Sequence, residues 1–206
     1  MDEDSNDVYE DDRANTIKVI LVGDSGTGKT NLITVAAGFE FNSNSLTTTS
    51  CSYVQKIIKK EGKEYKMHLW DTIGQEKYRS LTKIFLKDSK IVIFVYDITN
   101  KDSFESLVFW KKIIDEVVGD TPIFGVVGNK NDLYFDEKVK EEDGEEYAKN
   151  IGAKFILTSA KNDSKGFIQF LNIMLDEFLK KGFDQIERIE SLAIKELPKK
   201  KNNRCC

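Results

Sequence analysis

The sequence predicts an α/β domain: a six-stranded, mostly parallel mixed sheet flanked by helices on both faces. Apolar strand-like runs alternate with helical patterns from residue 16 to residue 181, and this alternation is typical of parallel α/β sheets. Several runs are nearly continuous in Val, Ile and Phe, as strands buried on both faces are. The short turn Glu61-Gly62-Lys63 joins two of the runs, which indicates one antiparallel hairpin within the sheet.

The predicted elements follow the chain in order. Strand-like runs lie at residues 17–22, 51–59, 65–71, 91–97, 123–128 and 154–157. Apolar residues at intervals of three and four predict two amphipathic helices, and Asp163 or Ser164 is placed to cap the second. The first helix has a stripe, interrupted by Lys111, of Phe104, Leu107, Val108, Ile114, Val117 and Val118. The second has a stripe of Phe167, Phe170, Leu171, Met174, Leu175 and Phe178.

We expect one folded domain at residues 15–181 between two flexible tails. The N-terminal tail, residues 1–14, is acidic, and the C-terminal tail, residues 182–206, is basic near its end. Hydrophobic residues make up 40% of the chain and charged residues 32%, a soluble globular composition. The longest apolar run, residues 91–96, is too short for a membrane-spanning helix, and the acidic start does not resemble a secretory signal. These features predict an intracellular protein.

The sequence predicts neither a disulfide framework nor a zinc site nor a nucleic-acid surface. The three cysteines, of which Cys51 stands alone in the body of the chain, lack the necessary spacing. The single histidine, His68, lies in a predicted strand, so we expect a strand side chain and no metal ligand. The chain also lacks the basic stripe that would indicate binding to nucleic acid.

A phosphate-binding motif follows the first predicted strand directly. Residues 23–30 read Gly-Asp-Ser-Gly-Thr-Gly-Lys-Thr, the pattern G-x-x-x-x-G-K-[ST], and a helical pattern follows. The glycines let the main chain bend round phosphates, and the helix N-terminus adds positive potential. Lys29 would place a cation at the β- and γ-phosphates, and the Thr30 hydroxyl would ligate magnesium. A plain glycine-rich turn is the alternative, which the flanking strand and helix disfavour.

A second motif ends the third predicted strand. Asp71 is followed by Thr72-Ile73-Gly74-Gln75. A carboxylate at a strand end beside a phosphate loop is placed to hold magnesium, directly or through water. The Gly74 N–H is open to the γ-phosphate because no side chain blocks it, and the Gln75 amide is placed to orient an attacking water. An isolated Asp-x-x-Gly is also an ordinary turn, so its weight comes from its place after Thr30.

Two further motifs predict a base-reading site, Asn129-Lys130-Asn131-Asp132 after the fifth strand and Ser159-Ala160-Lys161 after the sixth. The Asp132 carboxylate can accept from the ring N–H and the exocyclic amine of guanine. Adenine has an acceptor in place of that ring donor and would leave the carboxylate unpaired. Asn129 would brace the loops, the Lys130 stem would lie along the base, and an N–H near Ala160 would donate to the guanine carbonyl oxygen. Each motif ends a strand, at the edge where open α/β sheets bind ligands.

With these motifs, residues 16–181 resemble the Ras-like small GTPases, and within them the Rab family. The Rab resemblance rests on Trp70 before Asp71, on the segments 77–81, 95–99 and 103–104, and on the terminal Cys-Cys. It implies the P-loop small GTPase fold. It also implies a molecular switch that binds GTP, hydrolyses it slowly to GDP and regulates vesicle-mediated membrane and protein transport.

The resemblance also assigns the residues of the site. It implies that the catalytic residue Gln75 positions the water, that Phe41 lies against the guanine edge, and that Thr48 completes the magnesium shell with Thr30 and Asp71. The nucleotide-binding residues that it implies are Asp24, Ser25, Gly26, Thr27, Gly28, Lys29, Thr30, Asn31, Phe41, Thr48, Gly74, Asn129, Lys130, Asp132, Ser159, Ala160 and Lys161.

Partners and location follow from the same resemblance. It implies Mg²⁺ as cofactor, and a monomer that binds an exchange factor, a GTPase-activating protein, escort or dissociation-inhibitor proteins and effectors. Prenylated Cys205 and Cys206 would anchor the chain to the cytoplasmic face of an intracellular or plasma membrane, beside a soluble cytosolic pool. Two alternatives stay open. A GTP-binding scaffold with little hydrolysis is kept by Ile73, where Rab proteins usually have alanine, and a Ras-type signalling GTPase is disfavoured because the chain does not end in C-a-a-X.

Overall fold

The computed structural model describes residues 16–42, 52–72, 85–118 and 122–196. Its strands form one six-stranded sheet in the order β2-β3-β1-β4-β5-β6, in which β2 and β3 are antiparallel and the other neighbours parallel. The predicted mixed sheet is therefore confirmed. The strands are β1 (Thr16–Val22), β2 (Ser52–Lys60), β3 (Lys63–Asp71), β4 (Ile91–Asp97), β5 (Ile123–Asn129) and β6 (Lys154–Leu157).

Helices cover both faces of the sheet. One core cluster joins the first and last helices to one face, and a second cluster joins the middle helices to the other. A short 3-10 segment, Asn131–Asp136, follows β5. The helices are α1 (Lys29–Ala36), α2 (Lys101–Glu105), α3 (Leu107–Val117), α4 (Glu141–Asn150) and α5 (Ser164–Glu196).

The predicted hairpin turn between β2 and β3 is confirmed. Glu61 and Gly62 both have positive φ angles, 51° and 77°. Two central residues in this conformation match the right-handed twist of the flanking strands and are favoured in two-residue hairpins. His68 lies in β3 as expected, where its ring stacks on Tyr53 of β2 with centroids 4.6 Å apart.

The first predicted helix is confirmed for most of its stripe, because Leu107 and Ile114 are buried and the flanking residues Phe104, Val117 and Val118 pack against the same core cluster. The structure divides it at Ser106 into α2 and α3, and Val108 is 66% exposed. Trp110 and Ile113, which the predicted stripe omitted, are buried instead. Trp110 follows Leu107 by three residues and Ile113 follows Trp110 by three, so both extend the buried face that the stripe predicts. The buried face of the helix is therefore wider than predicted, and it leaves out Val108.

The second predicted helix is confirmed. Five residues of its predicted stripe are fully buried, and the Asp163 carboxylate accepts from the Gly166 N–H at 2.9 Å, as a capping residue does. The helix continues to Glu196, so the tail predicted to be flexible from residue 182 begins inside α5. The sequence has no proline between α5's start and Pro198 that would stop it earlier. Residues 1–14 and 197–206 lie outside the described residues.

Candidate nucleotide-binding site

The phosphate motif lies where the sequence predicts it, between β1 and α1. Gly23 and Gly28 have φ angles of 145° and 92°. A Cβ at Gly23 would lie 2.1 Å from the main-chain oxygen of Val95, and one at Gly28 would lie 2.2 Å from the side-chain nitrogen of Asn129. The loop therefore needs glycine at both positions, for conformation and for space. Helix α1 begins at Lys29, so its N-terminal N–H groups face the same loop.

Lys29 folds back over the loop that precedes it. Its ammonium donates to the main-chain oxygens of Gly23 at 2.8 Å and Asp24 at 2.7 Å, and the residue is 5% exposed. Burial lowers the pKa of Lys29 to about 8, although the nearby carboxylates of Asp71 and Asp24 oppose the shift. The structure thus holds a buried cation in the middle of the phosphate motif.

Two side chains with oxygen atoms that could ligate a metal ion meet beside this cation. The Thr30 hydroxyl donates to the Asp71 carboxylate at 2.7 Å, and Asp71 is 5% exposed. The next residue, Thr72, donates its hydroxyl to the main-chain oxygen of Leu21 in β1 at 2.6 Å. This bond holds the end of β3 beside the loop. A hydroxyl and a carboxylate oxygen are ligands that Mg²⁺ prefers, so the donor set fits the predicted metal.

Asn129 joins the base-reading segments to the phosphate loop. Its amide nitrogen donates to the main-chain oxygen of Thr27 at 2.8 Å, and its amide oxygen accepts from the Ala160 N–H at 3.2 Å. Asn129 is 1% exposed, so both ends of its amide are satisfied inside the protein. These two bonds connect the loops that Asn129 is predicted to brace. The Ala160 N–H, predicted to donate to guanine, donates to Asn129 in this structure.

Asp132 is held in place by Ser159. The buried Ser159 hydroxyl donates to the Asp132 carboxylate at 2.5 Å, and it accepts from the N–H groups of Lys161 and Asn162, each at 3.1 Å. The main chains of the two segments are also joined, since Asn131 N–H donates to the Thr158 oxygen at 3.0 Å. The second carboxylate oxygen of Asp132 is thereby aimed by a network that spans two loops.

Asp97 is a residue of this site that the sequence did not assign. Its carboxylate accepts from the Lys130 ammonium at 2.6 Å and from the Thr99 main-chain and hydroxyl groups at 2.9 and 2.8 Å. Asp97 pairs in register with Asn129 across β4 and β5. Lys130 has a φ angle of 68°, a strained conformation that this ion pair helps to hold. The sequence feature that could have indicated this role is the position of Asp97 at the end of β4.

Trp110 is the second residue that the sequence did not assign. Its indole N–H donates to the Asp24 carboxylate at 2.9 Å, and the indole is 2% exposed. The two residues are separated by 86 positions in the chain. No local pattern relates a helix residue to a loop at that distance, so this contact could be found only from the fold.

The remaining predicted site residues are distributed as follows. Ser25, Gly26 and Lys161 are exposed at the loop surfaces, Asn31 is half-buried in α1, and Phe41 packs against the core cluster of α1 and α5. The predicted residues that lie outside the described residues are Thr48, Gly74, Gln75, Cys205 and Cys206.

Comparison with known proteins gives a family-model match and a set of similar relatives. A sequence model described as the Ras family matches residues 18–178. The chain is 41% identical over 157 residues to Ras-related protein Rab-21 of Geodia cydonium, covering 76% of this chain and 68% of that protein. It is 38% identical to Rab-21 of Homo sapiens over 73% of this chain and 67% of that protein. Rab-26 of Rattus norvegicus is 39% identical over 70% of this chain and 57% of that protein.

The fold and the site together define a P-loop nucleotide-binding domain of the small GTPase class. The chain belongs to the Ras family and, within it, to the Rab proteins. Members of this family hydrolyse GTP to GDP, so the predicted enzyme class is confirmed. The scaffold and Ras-type signalling alternatives are not favoured. In the described part of the chain, no helix is long and apolar enough to cross a membrane.

Proposed function

We propose that this chain is a GTP-operated switch of vesicle-mediated transport, with one continuous pocket for the triphosphate, Mg²⁺ and guanine. The proposal rests on the two hydrogen bonds of the Asn129 side chain. It joins the phosphate loop at Thr27 to the base-reading loop at Ala160, at 2.8 and 3.2 Å. Since a single buried side chain fixes both loops, a nucleotide that spans them meets a preorganised site.

The phosphate end of the pocket uses main-chain donors and one cation. The N–H groups of residues 24–31 line the turn into α1, and the helix N-terminus favours negative charge. The Lys29 ammonium now caps two carbonyl oxygens, and phosphate oxygens would take its remaining donor capacity. We assign Lys29 to the β- and γ-phosphates and the adjacent exposed loop residues Ser25 and Gly26 to the rim.

Magnesium would be held by the Thr30 hydroxyl and by Asp71, directly or through water. The two side chains are already in contact at 2.7 Å, and both lie at the mouth of the phosphate loop. We assign the Thr48 hydroxyl to the same ion in the GTP state. Bound Mg²⁺ supplies positive charge against the phosphate oxygens. The residues of the chain fix where that charge is placed.

At the base end, the chain would select guanine through Asp132. Ser159 holds one oxygen of that carboxylate, and the remaining lone pairs of the two oxygens would accept from the ring N–H and the exocyclic amine of guanine. The Lys130 stem is held beside the base site by Asp97. The Ala160–Asn129 bond of 3.2 Å is at the long limit for N–H···O, so we propose that the guanine carbonyl oxygen shares this N–H. We assign Phe41 to the guanine edge.

The switch itself would act through two segments. In the GTP state the γ-phosphate binds Thr48 and the Gly74 N–H, which orders residues 41–52 and 72–81, and hydrolysis releases both. Gln75 would hold the attacking water. No arginine lies in the nucleotide motifs, so an activating protein would supply positive charge to the transition state. An exchange factor, escort proteins and effectors would bind the monomer according to its nucleotide state.

The tail would attach the switch to a cytoplasmic membrane surface. Two prenyl groups on Cys205 and Cys206 provide the two hydrophobic signals that stable anchoring requires. The lysines at residues 199–201 and Arg204 would each add about 1 kcal/mol near an anionic leaflet. Mass spectrometry of the protein from native cells should find both thioethers. If the double variant Cys205→Ser/Cys206→Ser fractionates with membranes as the parent does, this anchor is wrong.

The nucleotide pocket is tested by calorimetry with magnesium present. We expect the purified chain to bind GTP and GDP at least about 10⁴-fold more tightly than ATP, because adenine leaves Asp132 unpaired. Asp132→Ala should remove most of this preference, whereas Asp136→Ala, a carboxylate in the same 3-10 segment, should keep it. Equal binding of GTP and ATP by the parent would overturn the proposal.

A further inference from the structure

Trp110 links helix α3 to the phosphate loop through one side chain. Its indole N–H donates to Asp24 Oδ1 at 2.9 Å; the ring lies in the core cluster that covers one face of the sheet, and the bond is partly buried. Asp24 is half-buried in the loop between β1 and α1. A hydrogen bond between a neutral donor and a carboxylate is stronger than one between neutral groups. The contact therefore restrains the loop more than packing alone.

The main-chain carbonyl of Asp24 also accepts hydrogen bonds from two side chains of the same loop. Its carbonyl oxygen accepts from the Lys29 ammonium at 2.7 Å and from the Thr27 hydroxyl at 3.0 Å. The side chain of Asp24 thus binds α3 while its carbonyl binds the residue assigned to the β- and γ-phosphates. A rotation of Asp24 that broke the indole bond would also move this carbonyl, because both belong to one residue.

We propose that Trp110 is a positioning residue for nucleotide binding: it holds Asp24, and through Asp24 it holds the phosphate loop in the shape that receives a guanine nucleotide. The inference rests on the proposed nucleotide pocket. The ligand in question is the nucleoside diphosphate or triphosphate of that pocket. Trp110 would act on it through Asp24, which accepts the one polar hydrogen of the indole.

The consequence is a kinetic effect at a distance. Without the indole donor, Asp24 loses a charged hydrogen bond and the loop samples open shapes, so bound GDP should leave about tenfold faster. Single-turnover hydrolysis of GTP that is already bound should change much less, because no reacting group is removed. Release and turnover therefore separate a positioning role from a catalytic one.

The first experiment is a double-mutant cycle on GDP release, measured with a fluorescent GDP analogue. Trp110→Phe and Asp24→Ala should each accelerate release by about tenfold, and the double variant should be no faster than either. Asp24→Asn keeps an acceptor oxygen and should restore most of the parent rate. Trp70→Phe is the matched control, because Trp70 lies on β3 and stacks on Tyr53 instead; its release rate should equal that of the parent.

The second experiment keeps the inference testable if Trp110→Phe does not fold. The chain has two tryptophans, so an NMR spectrum of the full chain shows two indole N–H signals, which Trp70→Phe assigns. The Trp110 signal should shift in Asp24→Ala and be restored in Asp24→Asn, while the Trp70 signal stays fixed. An unmoved Trp110 signal, or additive effects on release, would overturn the inference. If the parent bound no guanine nucleotide, the proposed function would fail before this cycle began.

Discussion

The amide of Asn129 donates to the main-chain oxygen of Thr27 at 2.8 Å, across 102 positions of the chain. This bond places the end of β5 against the loop after β1, although β4 lies between these strands in the sheet. The two loops can meet because both leave the same edge of a parallel sheet. One buried amide therefore sets the distance between the base-reading residues and the phosphate-binding residues.

Replacing Asn129 with alanine should separate the two halves of the pocket. The Thr27 oxygen and the Ala160 N–H would both lose a buried partner, each at a cost of about 1–3 kcal/mol, so the Kd for GDP should rise by about a hundredfold. Calorimetry measures this change. Asn131→Ala is the control, because Asn131 is exposed and contributes its main-chain N–H to the fold. A similar loss in both variants would mean that the effect comes from the loop in general.

A methyl group at Gly28 should abolish nucleotide binding by steric means. The added Cβ would lie 2.2 Å from the Asn129 nitrogen, too close for any contact, and the φ angle of 92° would be strained as well. Gly38→Ala separates the two causes, because Gly38 has a φ angle of 94° and open space around its Cβ position. We expect Gly38→Ala to lose about 1 kcal/mol of stability and keep normal GDP affinity. Equal GDP affinity in the two variants would refute the steric argument.

Most of the sheet could be predicted because each strand carries its own signal. Residues 91–97 are continuously apolar up to Asp97, and β4 is buried along its whole length. The phosphate motif was equally local, since the glycines, Lys29 and Thr30 are consecutive. Their contacts with Asp71 and Asn129 followed from strand order, which an alternating α/β pattern constrains strongly.

The errors and omissions came from packing over long distances. Val108 and Trp110 both satisfy helical spacing, and only the sheet surface decides which is buried. The bond between Trp110 and Asp24 joins a helix to a loop that is distant in sequence. Asp97 was visible at a strand end, but its partner Lys130 had been assigned to the base alone. A contact between a side chain at the end of one strand and a side chain that follows the neighbouring strand depends on how the two strands are aligned. The sequence pattern alone does not show that alignment.

Asp97 should contribute to nucleotide affinity by holding Lys130. In Asp97→Asn the ion pair at 2.6 Å is lost while an oxygen remains for Thr99, so GDP affinity should fall by about three- to tenfold. Preference for guanine over adenine should be unchanged because Asp132 is intact. In a Lys130→Met background, Asp97→Asn should have no further effect on the Kd. Asp102→Asn, an exposed carboxylate in α2, serves as the control and should bind GDP like the parent.

Gln75→Leu should slow hydrolysis and leave binding intact. The variant keeps a side chain of similar size but cannot orient water, so single-turnover GTP hydrolysis should fall by about a hundredfold. The Kd for GDP should stay within about twofold, because this ligand has no γ-phosphate for the water to attack. Gln55→Leu is the matched change on β2, where Gln55 contacts His68. A parent-like hydrolysis rate in Gln75→Leu would remove Gln75 from the catalytic role.

Tyr147 should make the fold sensitive to alkaline pH. Its hydroxyl is buried without a hydrogen-bond partner among the described residues, and burial, with a smaller effect of Asp115, raises the pKa of Tyr147 to about 12. Below pH 10 the phenol is protonated in both the folded and unfolded chains. Between about pH 10 and 12 the unfolded chain releases this proton and the folded chain keeps it, so the free energy of unfolding falls as pH rises.

Tyr147→Phe should therefore reduce the loss of stability between pH 9 and pH 11, as measured by urea unfolding. At pH 7 the variant should be as stable as the parent or more stable by about 1 kcal/mol, because it removes a buried hydroxyl that has no partner. Tyr134→Phe provides the comparison, since Tyr134 is 55% exposed and its replacement removes a phenol from the surface instead of from the interior. Burial also raises the pKa of Tyr96, which is present in all of these proteins. Its contribution to the pH dependence of stability should therefore be the same in each of them. Parallel losses of stability in parent and Tyr147→Phe would show that this phenol ionises freely in the folded protein.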